Sequence, residues 1–185
     1  VIADSGPARE GTEPGRVECF APLWSPAARI LVLGSMPGRA SLAAAEYYAH
    51  PRNLFWPLLG TALGLDPHAP YPERCAGLVA RGLALWDVCR SCERPGSLDA
   101  AIREVEPNDL AGLVARLPEL RAVACNGQKA HELLHRHLLR PRPDALGGRP
   151  VLRLPSTSPA NASVPAADKV RAWRRALGGA GIDLG

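Results

Sequence analysis

Four short apolar runs constrain this chain more than any other feature: residues 29–33 (RILVL), 83–88 (LALWDV), 121–125 (RAVAC) and 150–154 (PVLRL). Each is too short for a helix and is bounded by Gly, Pro or polar residues, so each reads as a buried strand. Between them lie stretches with helical spacing. Residues 53–63 place Phe55, Leu58, Leu59 and Ala62 on one face and stop at Gly64. Residues 73–80 and 128–139 read as further helices, and Asn108 or Asp109 caps another that runs to Leu117. The last, 164–177, sets Val170, Trp173 and Leu177 on one face and Arg171, Arg174 and Arg175 largely on another. Strands alternating with helices predict an α/β fold, a three-layer α/β/α sandwich around a central, mostly parallel four-stranded sheet.

A chain of 185 residues suits one domain with a well-filled core. The expected organisation is a flexible N-terminal tail over 1–18, rich in Gly, Pro and charge, followed by a single domain over 19–185. Residues 19–26 (CFAPLWSP) strap Phe20, Leu23 and Trp24 onto the body, and 66–72 and 90–96 (RSCERPG) read as loops. No apolar run approaches the ~20 residues needed to cross a bilayer. The five cysteines are an odd number and no secretory segment is seen, so reduced thiols in a bacterial cytoplasm are expected. Cys89 and Cys92 form a lone CxxC without a second pair and read as structural. His131 and His135 are spaced to share a helix face, with His137 nearby, but no third ligand suggests itself, so no metal site is expected. The net charge of +4 rests on 20 Arg and two Lys, Lys129 and Lys169. Arginine forks suit phosphate, although a general bias toward Arg, Ala, Gly and Pro accounts for the same composition.

The chemistry is concentrated in two loops that follow strands. The first strand delivers Gly34-Ser35-Met36-Pro37-Gly38, where two glycines let a backbone approach a ligand and Pro37 fixes one φ angle. Behind it comes YYAHPRNLFW, in which Tyr47, Tyr48, His50, Arg52 and Asn53 crowd the approach to a helix. The fourth strand delivers residues 154–162 (LPSTSPANA), a stiff loop of small, hydroxyl and proline residues ahead of the basic-faced helix. In open α/β sheets, ligands bind beyond the carboxyl ends of the strands.

The motifs SMPG, HPRN, LWDV, CNGQKA and LPSTSPAN, in this order over residues 20–177, resemble the hypoxanthine-DNA glycosylase family of the uracil-DNA glycosylase superfamily. The resemblance implies a monofunctional DNA glycosylase that removes a deaminated base, hypoxanthine first, in base-excision repair. Uracil or mismatch specificity on the same fold is one alternative, and a non-catalytic binder of damaged or single-stranded DNA is another. The implied partner is double-stranded DNA carrying the deaminated base, with single-stranded DNA also considered. A monomer is expected, active without cofactor, metal or membrane and associated with the nucleoid when bound to DNA. In the superfamily the first loop lies under the extruded nucleotide, here with Gly34, Ser35 and Met36, and the second presses into the duplex.

Met36 stands where many relatives place an Asp or Asn that handles water, and the resemblance moves that task to Asn53. An amide does not take up a proton at neutral pH, but its carbonyl oxygen can orient a water toward the anomeric carbon. A helix N-cap is the competing role for Asn53. Tyr48 is implied to stack on the flipped base. Asp87 is expected to read the base edge as an ionised carboxylate, accepting for example the N1–H of hypoxanthine, or to cap the following loop. Asn126 supports the base pocket or serves an Asn-Gly turn. His50 and Arg52 contact phosphate or the leaving base, or have capping and salt-bridging roles. Ser156, Thr157 and Ser158 donate to phosphates, and Pro159 to Asn161 fill the vacated stack or contact the opposite strand.

Overall fold

A computed structural model describes residues 15–95 and 98–185. Its centre is a parallel sheet of β2 (Ile30–Gly34), β3 (Leu83–Asp87), β6 (Ala122–Asn126) and β7 (Val151–Leu154), ordered β3-β2-β6-β7. These are the four expected strands, and all five residues of β2 are buried because helices cover both faces of the sheet. Side chains alternate between two cores. Leu31, Leu33, Ala84, Val123 and Cys125 meet α4 (Leu110–Ala115) and α5 (Gln128–Leu134). Ile30, Val32, Leu83, Leu85 and Ala124 meet α2 (Phe55–Leu63), α3 (Tyr71–Ala80) and α6 (Ala166–Gly179).

Helix ends follow local chemistry. Gly64 closes α2 in the left-handed conformation, and Asp109 caps α4 by accepting the Gly112 N–H at 2.9 Å. The expected helix over 128–139 divides into α5 and a π-helical turn, His135–Leu139. A short α1 (Arg39–Ala44) follows the first loop.

The structure adds a second sheet, antiparallel and ordered β1-β4-β5, from β1 (Arg16–Glu18), β4 (Cys89–Glu93) and β5 (Arg103–Pro107). It corrects two expectations. Arg16–Glu18 is a strand rather than the end of a tail, while 1–14 of that tail lie outside the described residues. Most of the expected loop at 90–96 is β4, which turns the small Ser91 and Cys92 inward and the charged Arg90 and Glu93 outward. Polar bonds hold this sheet where apolar pattern is missing: Arg16 donates to Ser91 Oγ at 2.7 Å, and Ser91 Oγ donates to Glu106 at 2.9 Å. Among the described residues no helix is long and apolar enough to cross a membrane.

Candidate active site

The parallel strands run in chain order 2-1-3-4 across the sheet, so the direction of winding reverses between β2 and β6. A crevice opens at such a reversal, outside the carboxyl ends of the strands. Here it is a cleft of about 790 Å³, and both motif loops line it. Gly34, Ser35, Met36, Tyr48, His50, Asn53, Asp87, Asn126, Ser156, Thr157, Ser158, Pro159 and Asn161 all contribute to its wall. Of the candidate site residues named from sequence, Arg52 does not; it is exposed within the turn, next to Asn53.

The floor is organised by register. Gly34 pairs with Asp87 across β2 and β3, and a methyl group on Gly34 would overlap Asp87 Oδ1 and come 3.3 Å from the Tyr48 hydroxyl oxygen. Glycine is required there because the carboxyl lies over its Cα. Asp87 is 3% exposed, and its Oδ2 is buried without a hydrogen-bond partner. Burial, then the nearby Asp99 carboxylate, raise its pKa to about 8 against the opposing pull of Arg94. Against the expectation of an ionised Asp87, burial and the neighbouring Asp99 carboxylate both favour the neutral acid.

Tyr48 has φ +57°, a left-handed conformation uncommon for a bulky residue and concentrated at functional sites. Its ring stacks on Phe55 with centroids 3.9 Å apart, and its hydroxyl is buried without a partner. Burial foremost, then Asp87, push the phenol's pKa up, so it remains a donor. Tyr47 instead belongs to the core, donating its N–H to Tyr71 and accepting the Trp56 indole N–H at 2.9 Å.

Asn53 sits at the end of the HPRN turn, closed by the bond from its N–H to His50 O at 2.8 Å. The N-cap of α2 is Leu54 rather than Asn53, but from one residue earlier the Asn53 Oδ1 accepts the first helical N–H, that of Phe55, at 3.0 Å, and the residue lines the cleft. A carbonyl oxygen has two lone pairs, and the cap leaves one for water. The His50 ring also serves the turn, accepting the Arg52 N–H at 3.1 Å.

Asn126 ties the second loop to the sheet. Its side chain accepts the Thr157 N–H and donates to the Thr157 hydroxyl, each at 2.9 Å, and Thr157 O accepts the Leu54 N–H at 3.0 Å. The third strand, the second loop and the segment carrying Asn53 are thereby joined. Thr157 is fully buried, which corrects its expected role as a phosphate donor: its hydroxyl is engaged inside the protein. Ser156 and Ser158 accept backbone N–H groups at 3.2 and 3.3 Å, which leaves their own O–H groups for a ligand. Asn161 bonds back to Ser156 O at 3.2 Å, and the buried Lys169 ammonium donates to Asn161 O at 2.7 Å.

Sequence reasoning missed Arg94 and Asp99. Arg94 is 3% exposed and its guanidinium donates to Met36 O, at 3.3 Å, and to Pro37 O, propping the first loop from below. Met36 is mostly buried against the core and offers the cleft little more than its backbone and rim. Asp99 accepts the Ser35 hydroxyl at 2.8 Å. Nothing in RSCERPG marks its second arginine as the buried one, because that depends on the unexpected second sheet. The arginines of the last helix lie away from the cleft, on that helix's own surface. Arg174 bonds to Thr61 O and Gly185 O and Arg171 pairs with Asp168, whereas Arg39, Lys129 and Arg153 stand on the cleft wall. Among the described residues no group of three or more His, Cys, Asp or Glu side chains could hold a metal ion.

The Uracil DNA glycosylase superfamily model matches residues 21–177. Two curated relatives are each named hypoxanthine DNA glycosylase. The Methanosarcina acetivorans protein is 38% identical over 133 residues, 71% of this chain and 80% of its own length. That from Methanosarcina barkeri is 38% identical over 114 residues, 61% of this chain and 72% of its own. A solution NMR structure of a candidate uracil DNA glycosylase from Methanosarcina acetivorans aligns with a TM-score of 0.75 and 32% identity, covering 90% of this chain and 99% of that one.

Proposed function

The chain belongs to the uracil DNA glycosylase superfamily, and we infer that it is a DNA glycosylase that hydrolyses the N-glycosidic bond of deoxyinosine, releasing hypoxanthine. The observation that carries the reading is the convergence of both loops, with Asn53 on one side and the unpartnered Asp87 and Tyr48 groups on the other, on one cleft.

The reaction needs little nucleophilic power. As the C1′–N9 bond breaks, its electron pair leaves with the base and positive charge develops on the deoxyribose. A water held by the free lone pair of Asn53 Oδ1 adds its oxygen to C1′ and gives its proton to solvent. Fixing that water supplies orientation, the part of catalysis a neutral amide can provide. The neutral Asp87 acid donates a hydrogen bond to the departing base, where negative charge is growing. Ser156, Ser158, Lys129 and Arg153 hold the phosphates of a duplex entered from the loop side. In this reading the substrate is double-stranded DNA with the base turned out of the stack, and the protein works as a monomer without metal or redox cofactor.

The test is a single-turnover assay on labelled duplexes carrying deoxyinosine, deoxyuridine or neither, scored as alkali-labile breaks. Cleavage at deoxyinosine is expected. Cleavage confined to deoxyuridine would keep the activity and replace the base, and binding without cleavage of either would leave a damaged-DNA binder.

A further inference from the structure

Among the described residues the hydroxyl of Tyr48 has no acceptor for its proton. It is buried at the cleft floor, the tyrosine backbone is held at φ +57°, and the ring is committed to Phe55 by a stack at 3.9 Å. Asn126 lies beside it, its carbonyl taken by the Thr157 N–H and one amide hydrogen by the Thr157 hydroxyl, and it reaches the phenol oxygen only as a donor, so the phenol's own proton has no acceptor. A buried phenol without a partner costs on the order of 1–3 kcal/mol, so its persistence at a cleft points to an acceptor that arrives with the ligand. The Asp87 carboxyl lies over Gly34 with this hydroxyl beside it, and only glycine lets the two polar groups stand there together. One face of the ring is committed to Phe55, and the hydroxyl, buried beside Asp87, is the polar group that Tyr48 adds at the foot of the cleft.

We propose that Tyr48 is a specificity-determining hydrogen-bond donor, which together with Asp87 closes a polar clamp over Gly34 and selects an extruded purine bearing an oxygen at C6. The inference rests on the glycosylase reading above. A 6-oxopurine presents O6 and N7 as adjacent acceptors, whereas adenine presents an amino donor beside N7. A phenol can donate to the former and leaves its proton unmatched against the latter. A site built to donate rejects a partner lacking the acceptor more strongly than an apolar pocket does, because a buried polar group is then unpaired. The same strained backbone that turns Tyr48 inward fixes where that donor stands.

The experiment compares the native chain with Tyr48→Phe, which keeps the ring and its stack on Phe55. Single-turnover cleavage at deoxyinosine is measured first. Duplex affinity is then measured with uncleavable 2′-fluoro analogues of deoxyinosine and of deoxynebularine, the same purine without O6. The expected result is cleavage at deoxyinosine reduced about 10- to 100-fold, affinity for the inosine analogue reduced about tenfold, and affinity for the nebularine analogue unchanged, at a melting temperature no lower than that of the native chain. Equal cleavage by both proteins, or an equal loss of affinity for both analogues, would overturn the proposal. A native chain that leaves deoxyinosine intact would instead overturn the glycosylase reading on which it rests.

Discussion

Asn126 grips Thr157 at two points, accepting its N–H and donating to its hydroxyl, each at 2.9 Å. The pair joins the carboxyl end of β6 to the second loop, and Thr157 O passes the connection to Leu54, next to Asn53. Asn126→Ala leaves a buried N–H and hydroxyl unpaired. We expect about 1–3 kcal/mol of lost stability, read by denaturant unfolding, and a larger proportional loss in cleavage rate than in duplex affinity. A loss confined to affinity would place Asn126 outside the geometry that positions Asn53.

Gly34→Ala puts a methyl group where Asp87 Oδ1 and the Tyr48 hydroxyl approach. The carboxyl must swing away, and cleavage is expected to fall by roughly 10²-fold or more, the scale on which a small misplacement of reacting groups acts. The check is the single-turnover rate together with melting; a folded variant of native rate would mean that the carboxyl is not needed where it stands.

Asp87 makes stability depend on pH in a known direction. Its folded pKa is raised to about 8 from an ordinary value of 3.8. Below the lower value both states hold the proton, and its contribution is fully present. As pH rises toward 8 the unfolded chain releases the proton and the folded chain keeps it, so stability falls across this window. Asp87→Asn should flatten that slope in denaturant unfolding measured from pH 4 to 9. If the neutral acid assists the leaving base, native cleavage also declines as pH rises through about 8. A rate that climbs through the same range would return Asp87 to the role of an ionised acceptor.

Arg94 carries the carbonyls of Met36 and Pro37. Arg94→Met, similar in length but without donors, is expected to slow cleavage at deoxyinosine about tenfold or more while leaving the central sheet folded, as judged by far-ultraviolet circular dichroism. Unchanged cleavage would show that the loop holds its shape unaided.

The parallel sheet was legible because its strands are buried on both faces and so read as unbroken apolar runs; RILVL and LALWDV leave little else to be. The second sheet was not legible. β5 reads REVEP, with a single apolar branched residue among charges, and its pairing with β4 is supported by groups such as Glu106 whose partners lie far away in sequence. The placing of Arg94 and Asp99 depends on that sheet and was missed with it. Asn53, Tyr48 and Asp87 were expected at the site because each sits in a motif, and all three line the cleft. Their states were harder to read: the neutral form of Asp87 comes from burial and from Asp99, and the capping bond of Asn53 from the turn geometry, neither of which is a property of local sequence.

The most direct measurement is the single-turnover cleavage of a deoxyinosine duplex by the native chain, Asn53→Ala and Asn53→Asp, with duplex affinity measured beside it. Asn53→Ala removes both the cap on Phe55 and the water-holding oxygen, while Asn53→Asp keeps an oxygen for each. The account predicts that Asn53→Ala binds the duplex but cleaves about 10²-fold or more slowly, and that Asn53→Asp recovers a substantial part of the rate. Native-rate cleavage by a folded Asn53→Ala would contradict it and show that the water is held by another residue.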